Sequence, residues 1–419
     1  MTRRTLPRIT IPPALLTWGL AVLAVILLLT LARLPEWRDH MQVDIGAFHG
    51  RSSHFLTHGT WQGVGYDEYQ PGALWFFVLL GWLSFAPSNY DAFFAMLMVA
   101  NVLLIFGHVA FFLRNGSRWA ALSLVLLAAA AGPILLFRFE LLVSLLVLCA
   151  WALAQRRSYI ASAIVLGVAT VIKVYPAVFL PLLLAEVLRR KQYADSVAAA
   201  AGFGLGIIVP TLLTMAYGFP LPEIIQSVQV HQLKPIGLEG LWANIIVPLQ
   251  ALLHIPLRMT PAYGVHGLTS DLPHFGNWFF GNIWMLPTGL TFLAILWTHR
   301  KKGYSEPAPW LLLLFAFTLF AKVLNPQYLW WFLSLLPLVA FPALSRRTWI
   351  VCLVFAAASL ILTQIIYPLY YTEFLDWFYK NAPYLSLFVI MAARNLLLLA
   401  LFIVLCVKAL PAKQRISHS

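Results

Sequence analysis

The sequence predicts an all-α, polytopic membrane protein of about twelve transmembrane helices, and three observations carry that prediction. Hydrophobic residues fill 61% of 419 positions and charged residues 10%, with a mean hydropathy of +0.82. That is too little polarity to coat a soluble protein. Apolar runs of roughly 17–25 residues recur from end to end, the length at which a helix crosses ~30 Å of hydrocarbon. Backbone in lipid must satisfy its own hydrogen bonds, which makes these runs helices; the alternation expected of a membrane barrel strand is absent. Third, Arg and Lys occur in small clusters between the runs.

The elements follow from where those clusters interrupt the chain. Spans are expected near residues 13–33, 90–113, 119–136, 140–155, 159–172, 174–188, 195–217, 278–297, 308–324, 328–344, 348–366 and 386–407. One side then holds Arg3, Arg4 and Arg8; Arg114 and Arg118; Arg156 and Arg157; Arg189, Arg190 and Lys191; Arg300, Lys301 and Lys302; Arg346 and Arg347; and Lys408, Lys413 and Arg415. The positive-inside rule makes that side cytoplasmic. The first run is long for a secretory signal and lacks a small-residue cleavage site, so it is expected to remain as a helix, with both chain ends cytoplasmic in a multi-pass cell-membrane protein. The run 71–85 is short, opened by Pro71 and followed by Pro87. If it crossed, Arg114 and Arg118 would fall outside, so it is expected to lie in the outer interface. Arg138 with Glu140, and Lys173 with Pro176, interrupt apolar sequence at breaks tolerated only beside protein or a wet cavity.

The net charge of +13 is thereby distributed as membrane anchors, and no nucleic-acid partner is expected; the bilayer is. Cys149, Cys352 and Cys406 lie within apolar runs, so no disulfide framework is implied. In this topology 18 of 28 basic residues are inside but only 3 of 15 acids, leaving 12 acids outside. The charge rule asks nothing of acids, so an acid-rich outer face points to a polar working surface there. Loops 34–89 and 218–277 on that face are large, 367–385 is smaller, and residues 1–419 read as one transmembrane domain.

The first outer loop contains Asp44-Ile45-Gly46, then Tyr66-Asp67-Glu68-Tyr69-Gln70-Pro71. Phe137-Arg138-Phe139-Glu140 opens a later span, Lys173-Val174-Tyr175-Pro176 breaks another, and Lys322-Val323-Leu324-Asn325-Pro326-Gln327-Tyr328 with Trp331 breaks a third. In their order and shared side these stretches resemble the GT-C superfamily of glycosyltransferases, in particular the bacterial α-mannosyltransferase branch, family 87-like. Two departures stand out. Glu140 replaces the usual Asp, and His231-Gln232-Leu233-Lys234 occurs where the branch often has His with a following Arg. The resemblance implies a GT-C-like fold, a polyprenyl-phosphate sugar donor (mannose first) and a glycolipid or lipid-linked acceptor. Some GT-C enzymes use a divalent cation; no His or acid here has metal-ligand spacing, and no metal or cofactor is expected.

The chemistry can be argued separately. A polyprenyl-phosphate sugar carries a good leaving group, so one carboxylate suffices to take the proton from the attacking hydroxyl, unlike the paired carboxylates of glycoside hydrolysis. Cations must stabilise the departing phosphate. Asp44 is the expected base; the alternatives are a solvated loop acid or a helix cap, with Asp39, Asp67 and Glu68 as rival bases. Lys173, His231, Lys234 and Lys322 are the expected phosphate ligands, although Lys173 could simply pair with Glu140, and Lys322 could snorkel to headgroups. Asp67, Glu68, Tyr69, Glu140, Glu239, Gln327 and Tyr328 complete the expected substrate-binding set. Arg394, deep in the last span, must pair or line a cavity, and His108 reads as a hydrogen-bonded core residue. The competing function is a transporter or flippase of lipid-linked saccharides, which broken helices at mid-depth would also suit; two matched halves, however, are not evident.

Overall fold

The computed structural model describes residues 12–64, 68–115, 117–254, 257–270, 282–283, 285–380, 383 and 385–410. The helices are α1 (Pro13–Leu31), α2 (Pro35–His58), α3 (Pro71–Leu83), α4 (Tyr90–Asn115), α5 (Arg118–Ala131), α6 (Glu140–Gln155), α7 (Tyr159–Ile172), α8 (Leu180–Arg189) and α9 (Tyr193–Ala216). They continue with α10 (Leu221–Leu233), α11 (Leu241–Leu253), α12 (Met285–His299), α13 (Pro307–Leu319), α14 (Leu329–Leu333), α15 (Leu336–Ala343), α16 (Arg346–Gln364), α17 (Tyr371–Lys380) and α18 (Leu385–Ala409). Strands β1 (Ile236–Gly237), β2 (Leu257–Ala262) and β3 (Val265–Ser270) form one antiparallel sheet with β3 in the middle.

Among the described residues, six helices are long and apolar enough to cross a membrane: Ala14–Leu31, Tyr90–Asn115, Arg118–Leu135, Tyr193–Ala216, Arg346–Leu369 and Leu385–Ala409. The remaining apolar helices are shorter. Helix α3 has 13 residues, about 20 Å at the usual rise, which is short of the hydrocarbon thickness.

Two sequence expectations change in detail. Within the loop 34–89, where interfacial helices are expected, α2 is a 24-residue helix begun at Pro35, where proline's missing N–H costs nothing, so little of 34–58 is irregular. The span expected at 174–188 is a 3-10 turn, Tyr175–Phe179, leading into the ten-residue α8.

Small residues set the contact between α7 and α9. A Cβ on Gly206 would lie 2.5 Å from the Ile164 carbonyl oxygen, and one on Gly167 would lie 2.3 Å from that of Phe203. Helices α7 and α9 therefore pack backbone to backbone, as small residues permit in membranes. On α8, Glu186 is 1% exposed and accepts from Arg189, Arg190 and the Tyr304 amide, so its burial is fully compensated. His108 is buried as expected, its ring bonded to Leu104 O at 2.8 Å and Ser144 Oγ at 2.9 Å.

The chain breaks its helices at three places that matter below. After α5 it turns through Gly132–Leu135 and runs to Glu140. After α7, Lys173 is extended (φ −155°, ψ 134°). After α13, residues 320–325 separate it from the Pro326–Tyr328 turn. Carbonyls freed at the first break do not go unpaired: the buried Asn101 amide donates to Leu136 O and Arg138 O, each at 2.9 Å.

Candidate active site

Helix α2 places the first carboxylate. Its buried residues, Trp37, Met41, Ile45, Phe48, Ser52 and Phe55, recur at steps of three and four and form one apolar stripe. Phe48 stacks on Phe77 of α3 with ring centroids 4.4 Å apart, and meets Tyr69 at 5.4 Å and Phe139 at 5.7 Å edge-on. A Cβ on Gly81 of α3 would collide with Ser52 Oγ at 2.0 Å, so only glycine lets α2 seat this closely. Asp44 flanks the stripe and is held beside the first helix break.

There Arg138, its side chain 7% exposed, bonds Asp44 Oδ2 at 2.7 Å. The same guanidinium donates to Met41 O at 3.0 Å, Phe137 O at 3.1 Å and Tyr367 Oη at 3.2 Å. Tyr367 in turn donates to His40 O at 3.2 Å. Asp44 is thus neither a helix cap nor a free loop acid. It is a mid-helix carboxylate, ion-paired yet 40% exposed, so an incoming hydroxyl can reach it.

The second break carries Lys173, which pairs with the buried Glu140. Its ammonium also lies 4.7 Å from the Phe139 ring centre, 5.3 Å from that of Tyr328 and 5.5 Å from that of Trp331, a cation–π surround. The expected Lys173–Glu140 pairing is therefore present. Glu140 Oε2 has no hydrogen-bond partner among the described residues.

A cavity of about 740 Å³ adjoins this cluster. Lys173, Lys234, Lys322 and His231 line it, together with Tyr175, Tyr328 and Trp331. Val228, Leu233, Ile236, Leu268 and Phe317 give it apolar wall. Lys234 bonds Glu68 Oε2 at 3.3 Å. Lys322 donates only to the Gln232 carbonyl, at 2.6 Å, and has no carboxylate partner among the described residues. The wall therefore carries cationic charge that its own acids do not fully neutralise.

Electrostatics sets the charge state of His231. The His231 ring borders Gln70, Nε2 to Nε2 at 3.4 Å, and opens on the cavity rather than lying in packed core. Its recessed position first, then Lys234, Lys173 and Lys322, lowers its pKa to about 4. His231 is thus a neutral hydrogen-bonding group at pH 7, without charge to offer an anion. Burial, then the Asp44 and Glu68 charges, pushes the Tyr69 hydroxyl well above its ordinary range, so it stays a donor. The Arg51 guanidinium sits 4.8 Å over the Tyr69 ring.

The expected set is only partly assembled around the cavity. Lys173, His231, Lys234, Lys322 and Tyr328 line it directly; Glu140 and Glu68 reach it through their lysines. Tyr69 belongs to the Asp44 cluster. Gln327 lies instead in a small recess with Tyr367 and Gln364. Glu239 stands by Arg394, Oε2 to Nη1 at 3.9 Å, which answers what Arg394 pairs with. Asp67 lies outside the described residues. Arg138 is the residue that the expected site set omits, and its signal was present: a lone charge between apolar runs, two residues from Glu140.

Residues 68–234 match the model of Glycosyltransferase family 87. That segment carries Glu68, Tyr69, Arg138, Glu140, Lys173, His231 and Lys234, while Asp44 and Lys322 lie outside it. No curated protein matches the chain. Over residues 68–234 the chain is similar to glycosyltransferase family 87, which indicates a glycosyltransferase, and its apolar helices are those of a membrane protein.

Proposed function

We propose that the protein transfers a sugar, mannose first, from a polyprenyl-phosphate donor to a glycolipid or lipid-linked acceptor at the extracytoplasmic face, with inversion. The observation that carries this reading is the adjacency of two unlike sites: a half-exposed carboxylate fixed by Arg138, and a cavity walled by three lysines and apolar side chains. The cavity suits a lipid phosphate, with Lys322, Lys234 and Lys173 for the anion and the apolar wall for the first isoprene units.

In the reaction, Asp44 takes the proton of the acceptor hydroxyl as its oxygen bonds to the anomeric carbon. The carbon–oxygen bond to phosphate breaks, the bonding pair leaves with phosphate, and the lysines stabilise the charge that develops there. No acid is needed for so stable a leaving group. The about twelve spans, cytoplasmic termini and outward-facing site belong to the same reading. They rest on the placement of the basic clusters.

The test is transfer of radiolabel from polyprenyl-phosphate-mannose to lipid by the purified protein in bilayer nanodiscs. Asp44→Asn is expected to abolish transfer while the thermal transition stays within a few degrees of wild type. Full activity of that variant removes Asp44 as the base, and counterflow of saccharide without transfer favours a transporter.

A further inference from the structure

The first and third helix breaks and the end of α16 meet at a recess of about 10 Å³, room for one water molecule. Its polar wall is Gln327, Trp330, Thr363, Gln364 and Tyr367, and it shares no lining residue with the lysine cavity. Trp330 is 2% exposed, and its Nε1–H has no hydrogen-bond partner among the described residues. The Gln327 amide likewise bonds to none of them. Gln364 Nε2 donates to the Ala130 carbonyl. Its Oε1 packs against Gly132, where a Cβ would collide with it. Thr363 Oγ1 donates its own proton to Ser359 O at 2.7 Å and is left as an acceptor.

A buried donor without an acceptor is costly, and a water in this space removes that cost. It accepts from Trp330 Nε1 and Gln327 Nε2 and donates to Gln364 Oε1 and Thr363 Oγ1, so both its lone pairs and both its protons are used. The remaining polar wall is Tyr367. Its hydroxyl accepts from Arg138 Nη2 and donates to His40 O, both at 3.2 Å, the long end of the hydrogen-bond range. A ring displaced by a few tenths of an ångström loses one bond or both. Arg138 Nη2 is also the atom that holds Asp44, at 2.7 Å, so what fills the recess bears on where the base sits.

We infer that the recess holds one ordered water, anchored by Trp330 and Gln327, and that Gln327 is a positioning residue acting through Tyr367 and Arg138 on Asp44 instead of a ligand of the substrate. This rests on the reading of Asp44 as base. The water and the Gln327 amide fill the space behind the Tyr367 ring, the ring fixes its hydroxyl against Arg138, and Arg138 fixes the carboxylate.

The test uses the full chain in nanodiscs of total membrane lipid, which supplies the acceptor, with radiolabelled polyprenyl-phosphate-mannose as donor. Gln327→Met keeps the length of the side chain without its polar atoms, and Trp330→Phe keeps a ring without the N–H. Each is expected to lower kcat, per folded protein, about tenfold, with donor KM within twofold. Gln327→Asn, polar but shorter, falls between. Joined in one chain, Gln327→Met and Trp330→Phe are expected to do no more than either alone, because both release the same water. Tyr367→Phe gives at least the same loss, and Gln327→Met adds less than twofold to it. A rise in donor KM with kcat unchanged makes Gln327 a substrate ligand and overturns the positioning role. Losses that multiply in either double variant overturn the shared water or the route through Tyr367. Absence of transfer by the wild type overturns the polyprenyl-phosphate reading, and with it the role at Asp44. Thermal melts then decide the recess by themselves: each single substitution lowers the transition and the pair lowers it no further, whereas additive shifts overturn the water.

Discussion

Replacing Arg138 by Met is expected to lower kcat/KM about 100-fold without unfolding the protein. The guanidinium makes four contacts, to Asp44, Tyr367 and the carbonyls of Met41 and Phe137. Only the first two bear on where the base sits. A hydrogen bond to a charged group contributes about 1.5–3 kcal/mol. Asp44 is 40% exposed, so solvent screens its pair and places it at the low end of that range. Two such bonds come to about 3 kcal/mol, or about two decades in rate. The loss should fall mainly on kcat, because Asp44 remains but is no longer held against the acceptor. Arg138→Lys keeps the charge but cannot fork to two oxygens, and about a tenfold deficit is expected to remain. Steady-state transfer of radiolabel, paired with a thermal melt in detergent, measures both. A Met variant within threefold of wild type, or one whose melting transition is lost, refutes the assignment of Arg138 as a positioning residue.

Lys322→Met is expected to raise donor KM about tenfold, because among the described residues the ammonium binds only a carbonyl and is available to phosphate; an unchanged donor KM argues against that contact. His231 should make stability fall in acid. Its folded pKa of about 4 lies below the ordinary histidine value, so the unfolded chain binds a proton that the folded chain does not. Stability is then level above about pH 6.5 and declines as pH falls toward 4, and His231→Asn should remove that part of the decline in a pH series of thermal melts. Gly206→Ala drives a methyl to 2.5 Å from the Ile164 carbonyl and should destabilise the α7–α9 contact by about 1–3 kcal/mol. Gly204→Ala, with nothing within 4 Å, should leave the melting temperature level or slightly raised. Equal effects of the two would show that the contact is not decisive.

Much of the fold was legible because lipid simplifies the rules. Hydropathy, basic clusters and the prolines at 71 and 87 depend only on local composition, and they mark the apolar helices, the short α3 and the breaks at Arg138, Lys173 and Lys322. The motifs around Glu68, Glu140 and Lys173 likewise pointed to a glycosyltransferase before any geometry. What stayed hidden is what requires distance. Asp44 read as a loop residue because α2 is too polar overall to register as a membrane helix; its stripe of buried residues declares itself only when α3 is there to receive it. The charge state of His231 stayed open, because a sequence does not state how recessed a ring is or how many lysines surround it. Arg138 and Glu239 drew their partners, Asp44 and Arg394, from positions 94 and 155 residues away. Pairings of that separation are decided by packing and not by local sequence. The sequence by itself determined the solvent, the helices and the chemistry class; only the tertiary structure decided which charges meet.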